Sequence, residues 1–150
     1  MLLTLHYNTL AYTLAKLAHT EPNAKSGEDK FSHVLRVSQR VKHVEDIPVA
    51  LLHDIIEDSP FTAHDLRYLA QFPKDIVDDV VLLSRVKPKG GTPTVTYMQY
   101  IENICQCGRQ RPIRVKIADV EDHLARKHKL KDSHIKRYTK AMKLLKRELV

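Results

Sequence analysis

The sequence predicts an all-α fold, a single compact multi-helix domain over residues 1–150, and three observations carry that expectation. Apolar residues recur at three- and four-residue spacing, as in Val34, Val37 and Val41, or Ile135, Tyr138, Met142, Leu145 and Leu149. The breaks between such runs fall on helix-starting and helix-stopping residues, among them Pro22, Gly27, Pro48, Pro60, Pro73, Gly108 and Pro112. The run Ile113 to Val120 also reads as a strand, but no partner strand is evident for it.

Taken in order, the first helix runs from Leu2 to Ala18, and the polar stretch Thr20 to Asp29 ends it. The second, Phe31 to Val44, places His33 and Arg36 near its apolar face. A central helix of about three turns follows, with Pro48 in its first turn and Ser59-Pro60 at its end. Thr62 with Asp65 three residues later resembles a capping box and opens a short helix through Leu66, Leu69 and Ala70. Pro73 begins a fifth helix, through Leu83. Pro88, Gly90, Gly91 and Pro93 make a loop, and Val95 to Cys107 is helical until Gly108 supplies a C-cap. Pro112 opens the seventh helix and Ser133 caps the eighth.

Composition narrows the class. A length of 150 residues suits one domain with a real core, and 43% hydrophobic with 29% charged residues exclude a disordered chain. No stretch approaches a membrane span, and the apolar start lacks a basic lead and a small-residue cleavage site, so a cytoplasmic protein with no membrane partner is expected. Two cysteines, Cys105 and Cys107, are too few for a disulfide framework and read as helix-end packing. The net charge of +7 concentrates between Arg126 and Arg147. That run suits nucleic acid, a phosphorylated small molecule, or simply the solvated face opposite the Ile135-to-Leu149 stripe.

The chemistry concentrates in Leu51-Leu52-His53-Asp54-Ile55-Ile56-Glu57-Asp58, four ionisable side chains in an apolar run. On a continuous helix His53 and Glu57 form one column and Asp54 and Asp58 the next. Three crowded carboxylates repel one another unless a cation neutralises them, and imidazole with carboxylate suits Mn, Fe or Zn. Further donors must come from elsewhere. His33 lies on the preceding helix and Asp119 in the apolar stretch Val115 to Asp119. Each alone reads as a hydrogen-bonded core residue, but together with His53-Asp54 they place donors on three separate helices.

In order and spacing these segments resemble the HD superfamily of metal-dependent phosphohydrolases, and more closely the hydrolase domain of Rel/Spo stringent-response enzymes and stand-alone small alarmone hydrolases. The resemblance spans roughly Leu14 to Leu145. Ala18-His19, Lys25-Ser26-Gly27-Glu28 and Phe31-Ser32-His33 follow the first motif, Ala50 to Ser59 the second, and Val115-Lys116-Ile117-Ala118-Asp119 the third. It implies one metal, usually manganese, held by His33, His53, Asp54 and Asp119, with Glu57 and Asp58 positioning and activating water. The implied reaction removes pyrophosphate from the 3′ position of guanosine tetra- or pentaphosphate. Lys25, Ser26 and Lys116 suit the phosphate chain, because ammonium and hydroxyl groups match anionic oxygens.

Four positions depart from the family pattern. Ala24 and Ala125 stand where arginine is common, Val34 where proline is common, and His123 where asparagine usually contacts the nucleotide. Metal binding is therefore the safer expectation and base specificity the weaker one, and because the chain ends after the helical domain, hydrolysis alone is expected. The alternatives are the same chemistry on another nucleotide or a phosphorylated dinucleotide, a nucleic-acid-binding module using the basic C-terminal helices, and a domain that binds nucleotide without cleaving it.

Overall fold

The apolar periodicity is realised as helices throughout a computed structural model that describes residues 2–20, 28–85 and 91–150. Among the described residues there are eight α-helices: α1 (Leu2–Ala18), α2 (Lys30–Arg40), α3 (Ile47–Leu52), α4 (Ile55–Asp58), α5 (Lys74–Leu83), α6 (Tyr97–Cys105), α7 (Gln110–Ala125) and α8 (Asp132–Arg147). None is long and apolar enough to cross a membrane. Short 3₁₀ turns at Val44–Asp46 and Lys127–Lys129 and a π-turn at Asp65–Leu69 join them.

Two helices form the centre. Pro48, Val49, Ala50, Leu51 and Leu52 of α3 are all buried, because this apolar run has no polar face to offer water. It packs against α1, α2, α5 and α7. The longer α7 packs against α8, α2 and α5, and buries Lys116, Asp119 and Asp122 beside Ile113, Val115 and Val120. Charged groups at such depth need partners, and that need fixes the register of the centre.

Arg114 of α7 donates through Nε and Nη2 to the two carboxylate oxygens of Asp46, each at 2.7 Å, and Asp46 is fully buried at the entry to α3. Asp79 of α5 accepts from Arg109 at 2.7 Å and Arg111 at 2.6 Å. Planar guanidinium groups suit such paired contacts. These pairs lock α7 against the elements that carry the site.

Several expected boundaries shift, each for a local reason. The central helix is not continuous: it breaks between α3 and α4 at His53 and Asp54. The His53 ring takes the carbonyl of Ala50, with Nδ1 to O at 2.6 Å, so that carbonyl serves a side chain at the break. Val41 is already extended, with φ −71° and ψ 143°, so α2 stops at Arg40 rather than running to Val44. Thr96 and Gln99 form a reciprocal capping box that starts α6 at Tyr97, and Gly108 adopts φ +74° beyond its end. Thr62 and Asp65 do exchange hydrogen bonds, at 2.8 and 3.1 Å, but lead into the π-turn. Helix α7 begins at Gln110, ahead of Pro112. Lys131 precedes α8, so Ser133 sits inside its first turn and is not the cap. Leu149 lies beyond that helix and is 42% exposed, while Ala141 takes the buried place in the stripe. Pro22, Gly27, Pro88 and Gly90 lie outside the described residues.

Replacing Arg114 with alanine leaves the fully buried Asp46 carboxylate without its bidentate partner. The expected cost is about 3 kcal/mol, which for a chain of this size lowers Tm on the order of 10 °C. A melting curve within about 2 °C of the parent would contradict the role given to this pair.

Candidate metal centre and active site

Two helices and the break between two others deliver the donors. His33 lies one turn into α2, whose start is fixed by Asp29, the acceptor of the Ser32 N–H at 2.6 Å. His53 and Asp54 sit at the break between α3 and α4, and Asp119 projects from buried α7. Because a carbonyl only accepts, the contact with Ala50 requires a proton on His53 Nδ1, so Nε2 is the ring atom that can bind an ion once its own proton is displaced. That Nε2 is buried and has no hydrogen-bond partner.

The four groups converge. His33 Nε2 lies 3.0 Å from Asp119 Oδ1 and 3.8 Å from Asp54 Oδ2. His53 Nε2 lies 3.4 Å from Asp54 Oδ1 and 3.6 Å from Asp119 Oδ1. Two donors each about 2.1 Å from one ion are about 3.0 Å apart at right angles and about 3.4 Å at a tetrahedral angle. The observed spacings are those of neighbouring donors around a single ion, and the unpartnered His53 Nε2 is the atom such an ion would satisfy. The residues present therefore fit a divalent metal.

Electrostatics agree. Burial opposes a charge on His33, but its contacts with Asp119 and Asp122 outweigh that and raise its pKa to about 10. Burial likewise penalises the Asp119 carboxylate, yet Lys116 and His123 hold its pKa well below the usual range. Protons on the imidazoles thus balance the carboxylates, and a cation must displace them, so affinity for the ion falls as pH falls.

Asp119 divides its two oxygens. Oδ2 accepts from Lys116 Nζ at 2.6 Å, while Oδ1 faces His33, His53 and, at 3.2 Å, His123. Lys116 is buried against Tyr100, with Nζ 5.0 Å from the ring centroid. It lines the site cavity, although its ammonium is already engaged by Asp119. Lys25 and Ser26 lie outside the described residues.

The cavity encloses about 240 Å³. Asp54, Glu57, Asp58 and Asp119 form its acidic wall, and Arg85, Lys116, Arg137, Tyr97, Tyr100 and Tyr138 face them. Glu57 accepts the backbone N–H of Arg85. Burial and the neighbouring Asp54 push the Glu57 carboxyl up to about 7, a value at which it exchanges protons near neutrality. Asp58 pairs with Lys30 at 3.1 Å. A larger apolar groove, lined by Leu10, Leu14, Phe61 and Leu69, shares no residue with this cavity.

Asp122 was not anticipated from the sequence. Only 1% exposed, it accepts from His33 Nδ1 at 2.9 Å and from Arg36 and Arg40 at 3.0 and 3.2 Å. The signal was its spacing: Asp122 lies one turn from Asp119, and His33, Arg36 and Arg40 share one face of α2. A carboxylate behind a ligating imidazole fixes its tautomer and raises its basicity. Arg137, Tyr97, Tyr100 and Tyr138 were also missed as a wall, because their side chains meet only through the packing of α6 on α8.

The helical fold recurs in a solved structure that shares little sequence with this chain. The structure is similar over 95% of this chain to one described as a metazoan ortholog of SpoT that hydrolyzes ppGpp, covering 84% of that chain with a TM-score of 0.74 at 19% identity. Over 82 residues the sequence is 33% identical to the bifunctional (p)ppGpp synthase/hydrolase SpoT of Escherichia coli, covering 51% of this chain and 12% of that protein. It is 38% identical over 82 residues to a probable guanosine-3′,5′-bis(diphosphate) 3′-pyrophosphohydrolase of Mycoplasma pneumoniae, covering 52% of this chain and 11% of that protein. The chain thus spans about an eighth or less of the length of these curated relatives. No family model matches the sequence.

If Asp122 orients His33 toward the ion, Asp122→Asn lowers divalent-metal affinity about ten- to a hundred-fold while the helical circular dichroism is kept. Titration calorimetry measures this, and an affinity equal to that of the parent would remove Asp122 from the site.

Proposed function

We propose that this chain is a metal-dependent phosphohydrolase that removes pyrophosphate from the 3′ position of guanosine tetra- or pentaphosphate-type alarmones in the cytoplasm. The observation that carries the reading is one cavity lined by Asp54 and Asp119 of the convergent donors, by Glu57, and by Arg85, Lys116 and Arg137. His33, His53, Asp54 and Asp119 are the residues that hold the ion, with Mn²⁺ the first metal to test. A divalent ion held there supplies Lewis acidity toward a phosphoryl oxygen.

The protein's own groups do the rest. Glu57, fixed by the Arg85 N–H, accepts the proton of the attacking water as its oxygen bonds to phosphorus and the sugar 3′-oxygen leaves. Asp58, held by Lys30, orders the water and the approach. Arg85 and Arg137 neutralise the phosphate chain, with Lys25, Ser26 and Lys116 assigned to the same task. Arg137 belongs to the basic C-terminal run but lines the cavity, which supports the small-phosphate reading of that run over nucleic acid. Ala24 and Ala125 favour a second reading, the same chemistry on another nucleotide or a phosphorylated dinucleotide, because planar guanidinium groups that would hold a base are missing, and His123 replaces the usual asparagine contact.

Purified protein with Mn²⁺ is tested against a panel of phosphorylated nucleotides, with pyrophosphate release followed by phosphorus NMR. The 3′-pyrophosphorylated guanosine nucleotides are expected to be cleaved. Glu57→Gln should keep the ion and lose about two orders of magnitude or more in turnover. Because Glu57 works deprotonated, the parent rate should rise with pH toward a plateau, with its midpoint at or below about 7, since a bound cation lowers a neighbouring pKa. Metal-loaded protein that leaves every 3′-pyrophosphorylated nucleotide intact would overturn the alarmone reading.

A further inference from the structure

We infer that His123 is a fifth protein ligand to the ion, an inference that rests on the metal-centre reading above and extends it. His123 lies one turn beyond Asp119 on α7, and its Nε2 is 3.2 Å from Asp119 Oδ1, the spacing of adjacent donors on one ion. Donor atoms of His33, Asp119 and His123 all lie within 4.8 Å of one another, as do those of His33, His53 and Asp54. The two sets share His33.

The ring is placed for coordination by its edge. The ring lies beside His33, with centroids 4.7 Å apart and a 30° tilt, and is stacked on Tyr138 at 4.9 Å and 2°. With its ring stacked on Tyr138, His123 brings its Nε2 edge to the Asp119 oxygen that His33 and His53 also approach. The donor set becomes three imidazoles and two carboxylates. Imidazole favours Co, Ni and Zn over Mn, so this ligand tilts selectivity away from manganese.

The test uses the full chain loaded with Co²⁺, whose unpaired electrons shift the proton resonances of ligated imidazoles far outside the normal NMR range. Three shifted imidazole sets are expected in the parent and two in His123→Asn. His123→Phe, which keeps the stacked ring and drops the donor, should also show two sets. Both variants should bind Co²⁺ and Ni²⁺ at least about ten-fold more weakly, with a smaller change for Mn²⁺. One bound ion with two shifted sets in the parent, or a His123→Phe variant with parental Co²⁺ affinity, would overturn the fifth ligand and leave the four-residue centre standing. A parent that binds no ion at all would instead remove the metal-centre reading itself.

Discussion

The structure depends on how one buried carboxylate is shared. Asp119 is 3% exposed and cannot keep its charge so deep without partners. Lys116 takes one oxygen, and the other stands where imidazoles from α2, the α3–α4 break and α7 itself meet. Each of those elements is then held to the same point by a second buried polar contact. Asp122 anchors α2 through His33 and Arg36, Ala50 anchors the His53 ring, and Asp46 with Arg114 ties the start of α3 to α7. Packing of α3 and α7 supplies the low-dielectric surroundings in which these contacts are strong.

Such a centre is balanced either by protons or by a cation. Asp54 and Asp119 are both kept ionised by neighbouring positive charge, so the imidazoles carry protons that an ion must replace. An ion that binds only the folded chain adds stability by mass action, which makes the thermal transition depend on metal concentration. Glu57 stands apart from this balance. Burial and Asp54 raise it, and the Arg85 N–H holds it in the cavity.

Helix order and the central motif were legible because they depend on local pattern: apolar spacing, proline and glycine stops, and an ionisable cluster in an apolar run. The break at His53 was not, because it accompanies a ring that reaches back to the Ala50 carbonyl. Asp122 was hidden for a related reason. Beside Glu121 it reads as part of a solvated acidic face, and only the approach of α2 to α7 shows that it is buried behind His33. Leu149 matched the stripe of α8 in spacing, but the helix ends at Arg147 before that spacing has meaning. His123 could be flagged from sequence as a departure from the family pattern, whereas its packing beside His33 and Tyr138 required the fold.

The central claim is that side chains from two helices and the break between two others form one ion site, and elemental analysis of Asp54→Ala against the parent tests it most directly. The account predicts one divalent ion per parent chain, and its loss in the variant with helical circular dichroism retained. A folded Asp54→Ala protein that still carries a full stoichiometric ion would contradict the site.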